Sequence, residues 1–189
     1  MAQSKQTTIT DPKAMRAMAH PARIEIMEHL TTTGAVVTAT EMAGVVGLSP
    51  SATSYHLREL AKLGLVEQAP SRGDARERVW RSTSSGWNVD PIEDGPEVRE
   101  AEQVLVDVYL TRDFARMKEW IAGQHREPKA WRDAVVLSGH MLLLTAEELT
   151  QLNAAVRELL EPYSRRERIA SAPEGARSVA VRYTAFPVD

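Results

Sequence analysis

Cysteine is absent from the 189 residues, which removes disulfides, thiolate metal sites and cysteine nucleophiles at once. No apolar run approaches the roughly 18 residues that a membrane span needs. The start of the chain, residues 1–11, is polar, carries Lys5 and lacks the apolar stretch of a secretory signal. No membrane partner is expected, and the expected compartment is the cytoplasm. Gly-rich phosphate loops, metal-ligand clusters and nucleophile elbows are missing as well, so an enzyme is not expected, and neither is a cofactor. Acidic pairs such as Glu147-Glu148 are accounted for by helix capping and the helix dipole. The five histidines, His20, His29, His56, His125 and His140, show no tight ligand spacing, and no metal site is expected.

An excess of one charge sign is also lacking. The net charge of −3 argues against a binder that holds polyanions regardless of sequence. The distribution is more informative. Residues 1–90 hold ten Lys/Arg against nine Asp/Glu, while 91–189 hold thirteen against seventeen. A nucleic-acid surface, if present, is therefore local and lies in the first half.

What the sequence does contain is a tight succession of helix starts and stops. Asp11-Pro12 predicts a cap and a first-turn proline for a short helix to about Ala19. His20-Pro21 restarts the chain into a helix over 22–32, in which Ile24, Met27 and Leu30 recur at helical spacing with Ile26 beside them. A third helix is expected to open at Thr40 and run over 41–46 until Gly47, and Ser49-Pro50 to open a fourth that runs to about Leu63. A strand over 65–69, a turn at 71–75 and a second strand over 76–82 read as a β-hairpin, with Trp80 pointing to the core rather than its neighbour Val79.

The third and fourth helices have helix-turn-helix spacing. Ala43 sits four residues before Gly47; Met42, Val46 and Leu48 bracket the turn; Leu57 and Leu60 lie one helical turn apart on the next helix. Two helices that cross steeply need a small side chain at the contact and a glycine to turn the chain. Ser51, Ser54, Tyr55 and Arg58 are left on the outward face, short hydroxyls with an aromatic ring and a guanidinium, suited to base edges and phosphates. Arg72, Arg76 and Arg78 fall on or near the hairpin tip, where a wing meets phosphate or a minor groove. Thr53 stands where such motifs commonly place an aliphatic residue, and its hydroxyl is expected to bond a carbonyl one turn back.

In these residues the chain resembles the ArsR-type winged helix-turn-helix regulators. The likeness is carried by Ala19-His20-Pro21-Ala22-Arg23-Ile24-Glu25-Ile26, by the run from Leu48 to Leu60, by Leu63-Gly64-Leu65-Val66 and by Arg76-Glu77-Arg78-Val79-Trp80-Arg81, and it covers roughly 12–85. It implies a homodimer that binds an operator in double-stranded DNA and responds to an effector, here an unidentified small molecule or protein. Carried over residue by residue, it makes Ser51, Ser54 and Tyr55 groove contacts, with Arg58 beside them. Two departures limit what it implies. Thiolate sensing is excluded by the missing cysteines, and where a zinc-sensing branch has Asp-x-His, this chain has Asp107-Val108-Tyr109.

From 82 to 96 the composition turns to Ser, Gly, Asn, Asp and Pro, which predicts a linker and a division into a winged helix-turn-helix domain, 1–90, and a C-terminal α+β region, 91–189. The expected fold class is mainly α with small β. A single long helix is expected over 97–124, its apolar side serving as dimer surface or as monomer core. A dimer would hold two reading helices about 34 Å apart, the spacing of successive major grooves on one face of a duplex, so the expected operator is palindromic. Further on, a short helix over 129–134, a strand over 135–144, a helix opened by the Thr145–Glu148 capping box and ended at Pro162, and a strand over 177–186 complete the reading. Trp120, Trp131, His140 and Met141 are either lining for an effector pocket or, as expected, packing residues. The function expected is a sequence-specific, dimeric DNA-binding regulator, a repressor by analogy with the family; the alternative is a winged-helix protein-interaction module, consistent with the acidic second half.

Overall fold

The computed structural model describes residues 6–71, 78–89 and 95–188. The chain divides into two compact units, Met1–Arg126 and Glu127–Asp189. The first opens with strand β1 (Gln6–Ile9), then α1 (Pro12–Met18) and α2 (Pro21–Thr33). Asp11 caps α1 by accepting from the Lys13 amide at 3.0 Å, and Pro12 follows in the first turn, as the sequence predicts. A two-residue strand, β2 (Val37–Thr38), leads into α3 (Ala39–Val46) and α4 (Pro50–Lys62). The hairpin strands are β3 (Val66–Ala69) and β4 (Val79–Ser82), followed by β5 (Gly86–Val89) and the 28-residue helix α5 (Pro96–Gly123).

One core unites these elements. Met15 and Met18 of α1, Ile24, Ile26, Met27 and Leu30 of α2, Met42 of α3, and Leu57 and Leu60 of α4 are almost wholly buried in it, together with Leu65, Val66 and Trp80. The three-stranded antiparallel sheet has the order β2-β4-β3, with Val37 opposite Trp80, and Gln68 opposite Trp80 on the other edge. Being central, β4 buries both Val79 and Trp80, so the expectation for Trp80 holds and Val79 joins it inside.

Three local expectations change. The third helix is capped by Thr38, not opened at Thr40: the Thr38 hydroxyl accepts from the Glu41 amide at 3.1 Å while the Glu41 carboxylate accepts from the Thr38 amide at 2.7 Å. The start of the chain and the expected linker each contribute a strand, β1 and β5, which pair in parallel from Gln6 opposite Gly86 to Ile9 opposite Val89. The compact unit also does not end near residue 90. Val98, Ala101 and Leu105 of α5 are buried in the common core, and α5 packs along α1 and α2.

Helix α5 has two unlike sides. Its inward side continues from Leu105 through Tyr109 to Arg112 and Arg116. Tyr109 meets Trp87 edge-on at 5.9 Å, Arg112 pairs with Glu28 of α2 at 2.8 Å, and Arg116 pairs with Glu28 at 2.7 Å and Glu25 at 3.3 Å. Partial burial opposes the Arg116 charge, but the hydrogen bond and field of Glu28, with Glu25 and Asp113, raise its pKa further overall. The opposite side exposes Val106, Leu110, Phe114, Met117 and Ile121, spaced by four, four, three and four residues and so aligned in one stripe.

The second unit contains α6 (Lys129–Ala134), α7 (Ala146–Leu160) and α8 (Arg165–Arg168). The capping box of α7 is formed: Thr145 accepts from the Glu148 amide at 3.2 Å and Glu148 accepts from the Thr145 amide at 2.7 Å, which lowers the Glu148 pKa. The strands expected over 135–144 and 177–186 are not formed, and among the described residues this unit has no strand. Alternation alone does not make a strand; a hydrogen-bonding edge must be available as partner. Of the candidate packing residues here, Trp131 lies under the Arg177 guanidinium at 4.9 Å, while His140 and Met141 are exposed. No described helix is long and apolar enough to cross a membrane.

Candidate nucleic-acid interface

The turn between α3 and α4 is built by backbone requirements. Gly47 ends α3 at φ +67°, in the left-handed region, and Ala43, only 6% exposed at the helix contact, accepts from the amides of both Gly47 and Leu48. Gly47→Ala has space for its methyl group but not the conformation. It is expected to lower stability by about 1–2 kcal/mol in urea unfolding.

Ser49 then caps α4, accepting from the Ala52 amide at 3.2 Å, and Pro50 occupies the first turn. The helix buries Thr53, His56, Leu57 and Leu60 on one face. Thr53 is fully buried, and its hydroxyl donates to the Ser49 carbonyl at 3.0 Å, one turn back as expected, so a polar atom is carried inside with its bond made. On the opposite face Ser51, Tyr55 and Arg58 are exposed and Ser54 is half-buried. Those four positions fall within about 100° of arc at 3.6 residues per turn.

Ser51, Tyr55 and Arg58 each have a partner nearby. The Ser51 hydroxyl lies 3.1 Å from that of Ser49, and Arg58 donates from Nε to the Ser54 carbonyl at 3.2 Å, which lays the guanidinium along the helix surface. Tyr55 is half exposed, its ring 5.9 Å from the guanidinium carbon of Arg23. Lys62 lies on the same arc one turn beyond Arg58 and donates to Glu59 at 2.6 Å, which holds the Glu59 carboxyl below its ordinary pKa.

Of the expected wing arginines, Arg78 is exposed immediately before β4. Arg72 and Arg76 lie outside the described residues. Arg81, on β4, is committed to Glu67 across the hairpin at 2.7 Å. The structure therefore brings Ser51, Ser54, Tyr55 and Arg58 together on one helix face. It also adds a residue that the sequence reading missed as part of this region, Arg23 on α2. Its signal in the sequence was weak, since an arginine one turn into a helix is an ordinary solvated residue until the fold puts it beside Tyr55. Among the described residues no group of three His, Asp or Glu is arranged to hold a metal ion.

Helices α2, α3 and α4, with the turn at Gly47 between the last two, and the three-stranded sheet β2-β4-β3 form a winged helix-turn-helix, as the resemblance implies. A family model described as a helix-turn-helix domain matches residues 18–69, the stretch from the end of α1 to the end of β3. No curated protein matches the chain. Among solved structures, the chain is similar to a ZitR mutant from Lactococcus lactis in apo form, at 15% identity over 77% of this chain and 83% of that one, with a TM-score of 0.34. It is also similar to the homodimeric winged helix-turn-helix DNA-binding domain of Mb0332 from Mycobacterium bovis, at 19% identity over 55% and 80%, TM-score 0.32. A third is a MarR mutant from E. coli complexed with operator DNA, at 17% identity over 74% of each chain, TM-score 0.31.

Proposed function

We propose that this protein is a sequence-specific transcriptional regulator that binds a palindromic operator in double-stranded DNA as a homodimer. The observation that carries the reading is the division of α4 into a fully buried face and an outward face of hydroxyls, a tyrosine and an arginine. An exposed helix of this composition, braced from behind and followed by a hairpin with Arg78 exposed immediately before its second strand, has the dimensions and donors to enter a major groove. The apolar stripe on α5 supports the second half of the proposal, because a monomer gains nothing by presenting five large apolar side chains to water along one line. The expected sign is repression, relieved by an effector that is not sensed through thiolates; the role is that of a binder and not a catalyst.

Selection of bound fragments from the source genome tests this directly, and the expected result is an enriched palindrome. Arg58→Ala or Ser54→Ala is expected to cost about 1–3 kcal/mol of affinity for that site and to relax the preference at one base position. Arg78→Ala is expected to weaken binding evenly across sequences and to flatten its salt dependence. Fragments recovered without any common palindrome, or an Arg58→Ala protein that binds as before, would overturn the reading.

A further inference from the structure

Three elements of the first unit meet at a polar cluster behind the reading helix. His20 caps α2, and its Nδ1 accepts from the Ala22 amide at 3.2 Å. Arg23, one turn on, donates from Nη1 to the Ala17 carbonyl at the end of α1 at 2.7 Å, and from Nε to Nδ1 of His56 on α4 at 3.4 Å. The same guanidinium faces the Tyr55 ring, and the His20 and His56 rings lie 4.5 Å apart. One cation thus ties α1, α2 and α4 together, directly under a residue of the outward face.

Both imidazoles act here as acceptors at Nδ1, which defines each as neutral with its proton on Nε2. A second proton on either ring has to enter at Nδ1, the atom whose lone pair is already in use. Protonation of His20 removes the cap of α2; protonation of His56 removes the bond from Arg23 and sets two cations against each other. The charged or titratable groups facing His56 are His20 before α2, Arg23 from α2, and Tyr55 and Glu59 from α4; those facing His20 are Arg23 and His56. From α1 the cluster receives the uncharged Ala17 carbonyl. Only Glu59 favours the proton, and it is engaged by Lys62.

We propose that the His20–Arg23–His56 cluster is a proton-sensitive latch on the reading helix: with both rings neutral Arg23 clamps α4 and holds Tyr55 in place, and acidification opens the clamp and weakens DNA binding. The proposal rests on the DNA-binding reading above and adds a regulatory input to it. Burial, followed by Arg23, holds the His20 pKa below its ordinary value of 6.5; burial, then His20 and Arg23, do the same for His56. The fold therefore favours the neutral rings. Their contribution to stability is complete above the unfolded-state pKa and is lost as pH falls through the lowered folded-state values.

The sign separates this latch from ordinary electrostatics, since added positive charge on a DNA-binding protein strengthens its grip on phosphates. With the full-length protein and a duplex recovered by the genomic selection, affinity is expected to fall severalfold as the pH is lowered from about 7.5 through the lowered midpoints of the two rings. His20→Asn keeps a capping side chain and cannot titrate; it is expected to bind as wild type at about pH 7.5 and to lose much of the acid response. His56→Gln offers Arg23 a permanent acceptor and is expected to do the same. Proton NMR of the free protein supplies a readout that needs no DNA: the His56 ring signals are expected to titrate below an ordinary imidazole, and their midpoint to rise in Arg23→Gln, which removes a cation that opposes the proton. Affinity that is flat or rises on acidification, or a His56 midpoint unmoved in Arg23→Gln, overturns the latch. Failure of every duplex to bind at about pH 7.5 instead overturns the DNA-binding reading, while the NMR titration still decides whether His56 and Arg23 are coupled.

Discussion

Leu57→Ala is expected to lower the stability of the first unit by about 2–5 kcal/mol, the range for emptying a leucine site in a closed core. Leu57 is fully buried, as are Met42 on α3 and Leu60 on its own helix, and α4 is held against the body of the domain through that face. Deleting the side chain leaves a void that neighbours in three helices cannot all relax to fill. Tyr55→Ala, two residues away on the outward side, is expected to change stability far less and DNA affinity far more. Urea unfolding of the two variants, read beside their duplex affinities, checks both halves. A Leu57→Ala protein within about 0.5 kcal/mol of wild type, the spread of ordinary surface changes, would mean that α4 is not seated as described.

The second large effect is expected at α5. Phe114→Glu combined with Met117→Glu places two charges in the middle of the exposed apolar stripe and leaves the inward side, with Leu105, Arg112 and Arg116, untouched. The variant is expected to fold, to sediment as a monomer and to lose about 10²–10⁴-fold in affinity for a duplex carrying both half-sites, because the second half-site then gains nothing from effective concentration. Affinity for a duplex with one half-site is expected to be unchanged. A variant that stays dimeric at micromolar concentration would place the two-fold contact elsewhere on the chain.

The contrast between what was readable in the sequence and what was not follows the range of the interactions. Helix α4 was legible because every feature that fixes it is local: Gly47 ends one helix, Ser49 and Pro50 begin the next, and Leu57 and Leu60 choose the buried face. The bond from Thr53 to the Ser49 carbonyl was legible for the same reason, being confined to one turn. Strands β1 and β5 were not, since each is four residues long and finds its partner about eighty residues away; Thr7, Thr8 and Ile9 are strand-forming types, but nothing nearby says what they pair with. The reverse holds over 177–186, where alternating Val179, Val181 and Tyr183 fit a strand and none forms. The cap lies at Thr38 and not Thr40 because Glu41, three residues on, completes a capping box with Thr38. The latch was invisible for a similar reason, because His20, Arg23 and His56 come together only when α2 and α4 cross.

The inward side of α5 bears on how any ionic-strength experiment on this protein will read. The guanidinium groups of Arg112 and Arg116 meet Glu25 and Glu28 at 2.7–3.3 Å, with side chains between 11% and 38% exposed. Mobile ions screen over about 10 Å at 0.1 M and reach such short, sheltered contacts poorly. The phosphates of a bound duplex, by contrast, sit in open counterion atmosphere. On the proposed function, raising potassium chloride is therefore expected to loosen the grip on a duplex well before it loosens the scaffold, and the slope of a log–log affinity plot is expected to count neutralised phosphates with little contamination from the protein's own framework.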